Sequence, residues 1–352
     1  MSANLDLLRA LAVLMVLAQH LLRRAELLSV GPIPVETIGH FGVLLFFVHT
    51  SLVLMYSMHR ASDRDAKQLV PSFYIRRFFR IYPLSTVAIV AALVLGVTTM
   101  GPVHGLAVTA RPNLVAVSSD LLMVQNLTQA PSIINVLWSL PYEIQMYLVL
   151  PFLFLWINGR RRGFWFLLVL WSISVAAAEI QPHLPALSRL VILRFMPNFL
   201  PGVIAYCIGA GLWRKKFHLS GFCWMPFILL LVGIFTQSPT FRTGWVLCLF
   251  LGLCLPFFAD ISNRWLRLIA HQIAKYSYGI YLSHPFAIWV PWGLMAGSSF
   301  WLRAVILITL LITLPVVLYH AIEYPMIQVG VHWARGSPAT TIAVPRATAV
   351  GN

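Results

Sequence analysis

Arg9 and His20 stand eleven residues apart in an otherwise largely apolar stretch, residues 5–22, of the 352-residue chain. At 100° per residue that interval is three helical turns plus about 20°, so both side chains leave one face, about 16 Å apart along the axis. Asp6 precedes Arg9 by three residues, close to the same stripe. An imidazole with a cation below it suits a base that removes a proton near a bound anion. The plainer competing reading makes Asp6 and Arg9 an anchor at one membrane surface and lets His20 reach the other.

Three further groups carry chemistry. In Trp138-Ser139-Leu140-Pro141-Tyr142-Glu143-Ile144-Gln145-Met146-Tyr147, Glu143 lies one turn before Tyr147 in an apolar run. A carboxylate there needs a partner or a cavity, and His20 is the expected partner, since a Glu–His pair fixes the imidazole tautomer. A packing hydrogen bond to a neighbouring helix is the alternative. In Phe73-Tyr74-Ile75-Arg76-Arg77-Phe78-Phe79-Arg80, the forked donors of Arg76, Arg77 and Arg80 suit phosphate oxygens, although anchoring by positive charge and aromatic rings describes the same residues. His284, just before Pro285, is either a second site residue or a cap at a kink, and Glu323 reads as structural.

The elements that must position these groups follow from composition. The chain is 59% hydrophobic and 10% charged, with a mean hydropathy of +0.82. Soluble domains carry about 25% charged residues, so a polytopic all-α membrane bundle is expected and a disordered, fibrous or disulfide-stapled chain is excluded. Ten spans are expected at 5–22, 38–58, 82–100, 134–156, 164–180, 190–212, 222–236, 241–258, 276–295 and 302–320. The first reads as a retained span, because no A-x-A-like cleavage site follows it. Continuous apolar runs argue against a β-barrel.

A net charge of +15 ordinarily suggests nucleic acid. Ten spans with both termini cytoplasmic place 17 of the 25 cations on the inner side and 7 on the outer side, which removes that need. Cys207, Cys223, Cys248 and Cys254 show no metal-ligand spacing, and no metal is expected. Residues 1–330 form the expected membrane domain, and 331–352, rich in Ala, Thr and Pro, a disordered cytoplasmic tail. The long outer segment, 101–133, reads as a lid or a plain connector.

In this order the motifs resemble the acyltransferase 3 family of integral membrane acyltransferases. The L-D-x-L-R-A-L-A-V opening with Arg9 and His20 is one match. Others are Gly39–Val48 against G-x-x-G-V-D-L-F-F-V, Phe73–Pro83 against F-x-x-R-R-x-x-R-I-x-P, and Trp138–Pro151 against W-S-L-x-x-E-x-Q-F-Y-x-x-x-P. Tyr276–His284 resembles Y-S-x-Y-x-x-H, and Glu323–Pro325 a closing E-x-P. The likeness runs from residue 5 to about 326. Leu44 stands where the family has Asp, and Thr50-Ser51 where it has Ser-Gly, departures expected to reshape the cavity near His20. The chain is too short for the C-terminal SGNH-type domain of many relatives.

The resemblance implies transfer of an acyl group, typically acetyl, from cytoplasmic acyl-CoA to a hydroxyl of a cell-surface polysaccharide, a lipid-linked sugar or a small natural product, in a bacterial cytoplasmic (inner) membrane. Within that chemistry His20 is the expected base and Glu143 the residue that orients or charges it. Arg9 would hold the CoA arm and Arg76, Arg77 and Arg80 its phosphates, while Tyr147 and His284 would place the acceptor. Direct attack is favoured, with an acyl-His20 relay as the rival. The alternative outside enzymology is a transporter or flippase of sugars or lipid-linked glycans.

Overall fold

A computed structural model describes residues 2–63, 68–97, 112–158, 160, 163–210 and 219–335. Most of the expected tail, part of the long outer segment and nine of the loop and tail cations used to orient the chain lie outside the described residues.

The described chain is helical almost throughout. Helices α1 (Ala3–Arg24) and α2 (Val35–Ser62) are joined by a hairpin of two-residue strands, β1 (Ser29–Val30) and β2 (Ile33–Pro34). Then come α3 (Leu69–Leu95), α4 (Leu114–Leu121), α5 (Gln125–Thr128) and α6 (Leu140–Ile157). They are followed by α7 (Gly163–Ile180), α8 (Ile192–Ala210), α9 (Trp224–Gln237) and α10 (Phe241–Cys254). The last are α11 (Arg264–Trp289), α12 (Phe300–Leu318) and α13 (Tyr324–Ala334), with a π-helical turn, Tyr319–Glu323, joining α12 to α13.

Seven segments are long and apolar enough to cross a membrane, and 221–237 and 241–257 are shorter apolar helices. The chain is a multi-pass, all-α membrane bundle. Each of the ten expected spans coincides with a helix. Residue contacts give their relative directions. Arg9 meets Ser277, and His20 meets His284, so α1 and α11 run parallel. Phe47 and Ser51 meet Phe195 and Phe199, so α2 and α8 run parallel as well. Trp245 and Cys248 meet Arg194 and Asn198, which makes α8 and α10 parallel. First and ninth, second and sixth, sixth and eighth spans thus point the same way, as ten alternating crossings require.

Two helices start well before their apolar stretch. α3 begins at Leu69, not near residue 82, and α11 at Arg264, not near residue 276. Hydropathy marks where a side chain tolerates lipid, whereas a helix extends as far as its backbone bonds and side-chain partners are satisfied. Arg76, Arg77 and Arg80 consequently stand on a helix continuous with the third span. At the other end of the chain, α13 is helical to Ala334, four residues past the expected domain boundary.

The core centres on α2 and α8. In each, 72% of the most apolar stretch is buried inside the protein, against 6% for residues 300–334, whose apolar side chains face outward. Close approach explains the tight centre: a Cβ on Gly202 of α8 would collide with the Val48 carbonyl and Ser51 hydroxyl of α2. Small residues at such crossings replace the hydrophobic drive that lipid cannot supply.

Candidate active site

The first part of the site is a cavity of about 90 Å³ enclosed by α1, α2, α3, α6 and α11. Arg9 enters from α1, and its Nε donates to Ser277 Oγ of α11 at 2.5 Å. Arg77 and Arg80, three residues apart, turn in from one face of α3. Glu143 and Tyr147, four apart on α6, face them, with the Tyr147 hydroxyl donating to the Glu143 carboxylate. Arg80 Nη1 also pairs with Glu323 Oε1 at 2.5 Å, and that carboxylate's side chain is 0% exposed. Three guanidiniums against two carboxylates leave the group one charge positive. Charges inside a membrane protein are costly unless they are paired or line a cavity; Arg9, Arg77, Arg80 and Glu143 line this one, and Glu323 is paired with Arg80. An anion entering here gains forked donors that are already in place.

The second part lies outward along the same two helices. His20 Nδ1 is 2.8 Å from the Val16 carbonyl oxygen, one turn back on α1. His284 Nδ1 is 3.0 Å from the Ile280 carbonyl oxygen, one turn back on α11. A carbonyl only accepts, so each ring carries its proton on Nδ1 and leaves Nε2 as an unprotonated base. The two rings meet edge to face with centroids 4.8 Å apart. His20 is partly exposed, whereas His284 is 1% exposed and its Nε2 has no partner among the described residues. Ser277, Tyr281 and His284 share one face of α11 at helical spacing and connect the two parts. Tyr281 lines the cavity, takes a hydrogen bond from Ser139 at 2.8 Å and donates to the Val136 carbonyl.

The expected contact between His20 and Glu143 is not formed. Glu143 is bonded by Tyr147 and faces Arg9, Arg77 and Arg80, while the nearest charge to His20 is Arg23. The register of α6 sets Glu143 at the level of Arg9, about three turns inward of His20. The ring against His20 belongs to His284. Arg76 also departs from expectation. Its Nη2 donates to Ser72 Oγ at 3.1 Å, and it does not line the cavity that Arg77 and Arg80 share. One residue along a helix is a 100° turn, which separates Arg76 from Arg77, and Arg76 stands a full turn before Arg80 along the axis. Tyr147, expected to place the acceptor, sits instead in the cationic cavity. Of the two family departures, Leu44 is 2% exposed and packs on Gly244 of α10, and Thr50 lines the cavity at the level of Arg9; neither adjoins His20.

Sequence reasoning passed over His49, Ser277 and Asp120. His49 carried a signal: it is an ionisable residue near the middle of an apolar span. Ser277 stood in the Y-S-x-Y-x-x-H resemblance, but its partner, Arg9, is 268 residues away and nothing in the spacing pointed to it.

The described part of the outer segment is tied down rather than loose. Asn113 caps α4 by accepting the Ala116 N–H at 2.8 Å. Asp120 Oδ2 accepts the Ile133 N–H at 2.6 Å, and burial pushes this carboxyl up to about 6. Asn126 and Gln145 exchange two amide hydrogen bonds, 3.2 and 3.0 Å, so the motif glutamine on α6 fastens α5 in place.

Comparison with known proteins places the chain in a family. The family model described as an acyltransferase domain, Acyl_transf_3, matches residues 2–320. Acyltransferase MdmB of Streptomyces mycarofaciens is 27% identical over 335 residues, covering 83% of this chain and 80% of that protein. No solved structure matches.

Proposed function

The chain belongs to the acyltransferase 3 family and is a membrane acyltransferase; from that premise we propose that it moves an acyl group, acetyl foremost, from cytoplasmic acyl-CoA to a hydroxyl of a sugar, cell-surface glycan or related small natural product. Its place is the bacterial cytoplasmic (inner) membrane. The observation that carries this reading is the pairing of a cationic cavity with an unprotonated imidazole nitrogen about 16 Å further along the same helix. An extended pantetheine arm spans such an interval, with its anionic end among guanidiniums and its thioester beside the base.

Arg77 and Arg80 hold phosphate oxygens in this reading, and Arg9 steers the arm past Ser277. Glu143, with Tyr147, balances the arginines so that the cavity stays one charge positive and ready for an anion. His20 Nε2 takes the proton of the acceptor hydroxyl as its oxygen attacks the thioester carbonyl. The C–S bond then breaks, and the proton passes from His20 to the departing CoA thiolate. His284 packs the His20 ring into the orientation that its own Val16 bond begins to set. Arg76, away from the cavity, meets the phosphates only at its mouth.

The test is transfer itself. Purified protein in detergent or vesicles is given labelled acetyl-CoA, and mass spectrometry follows the label into glycan, lipid and small-molecule hydroxyl acceptors. Release of CoA with an O-acetylated product supports the reading; no turnover and no CoA binding, with sugar movement across vesicles, overturns it.

A further inference from the structure

One ionisable side chain of the cationic cavity has no part in the transfer steps above. His49 stands near the middle of α2, is 2% exposed, and lines the cavity beside Arg9. Its Nε2 is buried with no hydrogen-bond partner among the described residues. A buried polar atom without a partner is costly, and natural interiors keep few of them.

The cavity's other polar atoms are largely committed. The guanidiniums of Arg9, Arg77 and Arg80 only donate. Ser277 accepts from Arg9 and donates to the Ala274 carbonyl at 2.8 Å. Tyr278 donates to the Ile81 carbonyl at 2.9 Å, and Tyr281 to the Val136 carbonyl. Glu143 accepts from Tyr147 at one carboxylate oxygen, and its charge is set against the arginines around it. The cavity is therefore rich in donors, which suits phosphate and carbonyl oxygens. A ligand N–H entering it needs an acceptor, and His49, with the adjacent Thr50 hydroxyl, offers an uncharged one beside Arg9.

We propose that the His49 imidazole accepts an amide N–H of the donor's pantetheine arm, so that this residue selects thioesters carried on an amide-bearing arm. The inference rests on the acyl-CoA reading and deepens it. Arg9 on one side and His49 on the other then address both halves of a peptide-like group, the carbonyl oxygen and the N–H. A leucine at this position offers neither an acceptor nor a polar surface, and an asparagine retains a carbonyl acceptor.

The experiment compares acetyl-CoA with S-acetyl-2-mercaptoethanol, a thioester without amides, in the wild type, His49→Leu and His49→Asn. In His49→Leu, the KM for acetyl-CoA should rise about tenfold with kcat within about twofold, and kcat/KM should fall about tenfold more for acetyl-CoA than for the short donor. His49→Asn should recover most of that loss. Equal losses with both donors, or an unchanged KM for acetyl-CoA, overturn the proposal. Should His49→Leu fail to fold, His49→Asn decides: donor discrimination within about threefold of wild type supports it, and a tenfold loss overturns it. Wild-type protein that never releases CoA from acetyl-CoA refutes the acyl-CoA reading and this proposal with it, whereas wild-type turnover with an indifferent His49→Leu refutes the role of His49 alone.

Discussion

The two ends of the site solve opposite problems. The inner end gathers three arginines and two carboxylates from α1, α3, α6 and the π-helical turn before α13, and Arg9 and Arg80 are held by residues from the far end of the sequence, Ser277 and Glu323. The outer end holds two imidazoles, each bonded to the carbonyl one turn back on its own helix. Electrostatic density thus sits at the end proposed to capture an anion, and the proposed proton acceptor is kept apart from the cavity's carboxylates and guanidiniums. Had Glu143 reached His20, each half would have lost something: the cavity its counter-charge, the imidazole its independence from donor binding.

Substitutions should separate the halves. His20→Ala should lower kcat by roughly a hundredfold to ten-thousandfold, with the Kd for CoA unchanged by equilibrium binding. A large loss of CoA affinity in that variant would merge the two regions into one. Arg77→Gln should act the other way, raising the KM for acetyl-CoA by about tenfold or more, the scale of a hydrogen bond to a charged group, with kcat little changed in steady-state assays. Arg76→Gln measured beside it should change KM by less than about threefold; equal effects would erase the distinction between the cavity arginines and the one bonded to Ser72.

The smallest effect belongs to the outer segment. Asp120 holds its proton more tightly folded, at about 6, than unfolded, so its contribution to stability is full below about pH 4 and is lost as pH rises through about 6. Amide hydrogen exchange around Ile133 should therefore quicken between pH 5 and pH 7 beyond the intrinsic pH dependence, by roughly a few-fold. Asp120→Asn, which keeps the acceptor for the Ile133 N–H, should remove that excess. Equal protection in both proteins across the range would show that Asp120 has no such role.

Much of this site was legible in the chain because ionisable residues in apolar runs are few and helical spacing says which share a face. Arg9 with His20, Arg77 with Arg80, and Glu143 with Tyr147 are pairs within one helix whose spacing puts each on a shared face, although Glu143 and Tyr147 take other partners than expected. Partners on different helices were not legible. The carboxylate chosen for His20 was 123 positions away, and the ring that touches it is 264 away; only the axial register of α6 and α11 against α1 decides between them. Helix starts were hidden for a related reason: the arginines of α3 look like loop residues until Glu323 and Tyr147 are found opposite them.

The parallel packing of α1 and α11 gives the enzyme a fixed ruler. Asp6 with His271, Arg9 with Ser277, and His20 with His284 fasten the two helices at three heights. On the acyl-CoA reading proposed above, a slip of one turn, about 5.4 Å, would part the donor grip and the proposed base in the same motion. On that reading the distance from anchor to reacting bond is set by helix rise rather than by a hinge, and a donor with a shorter arm, held at the same grip, would place its thioester short of His20.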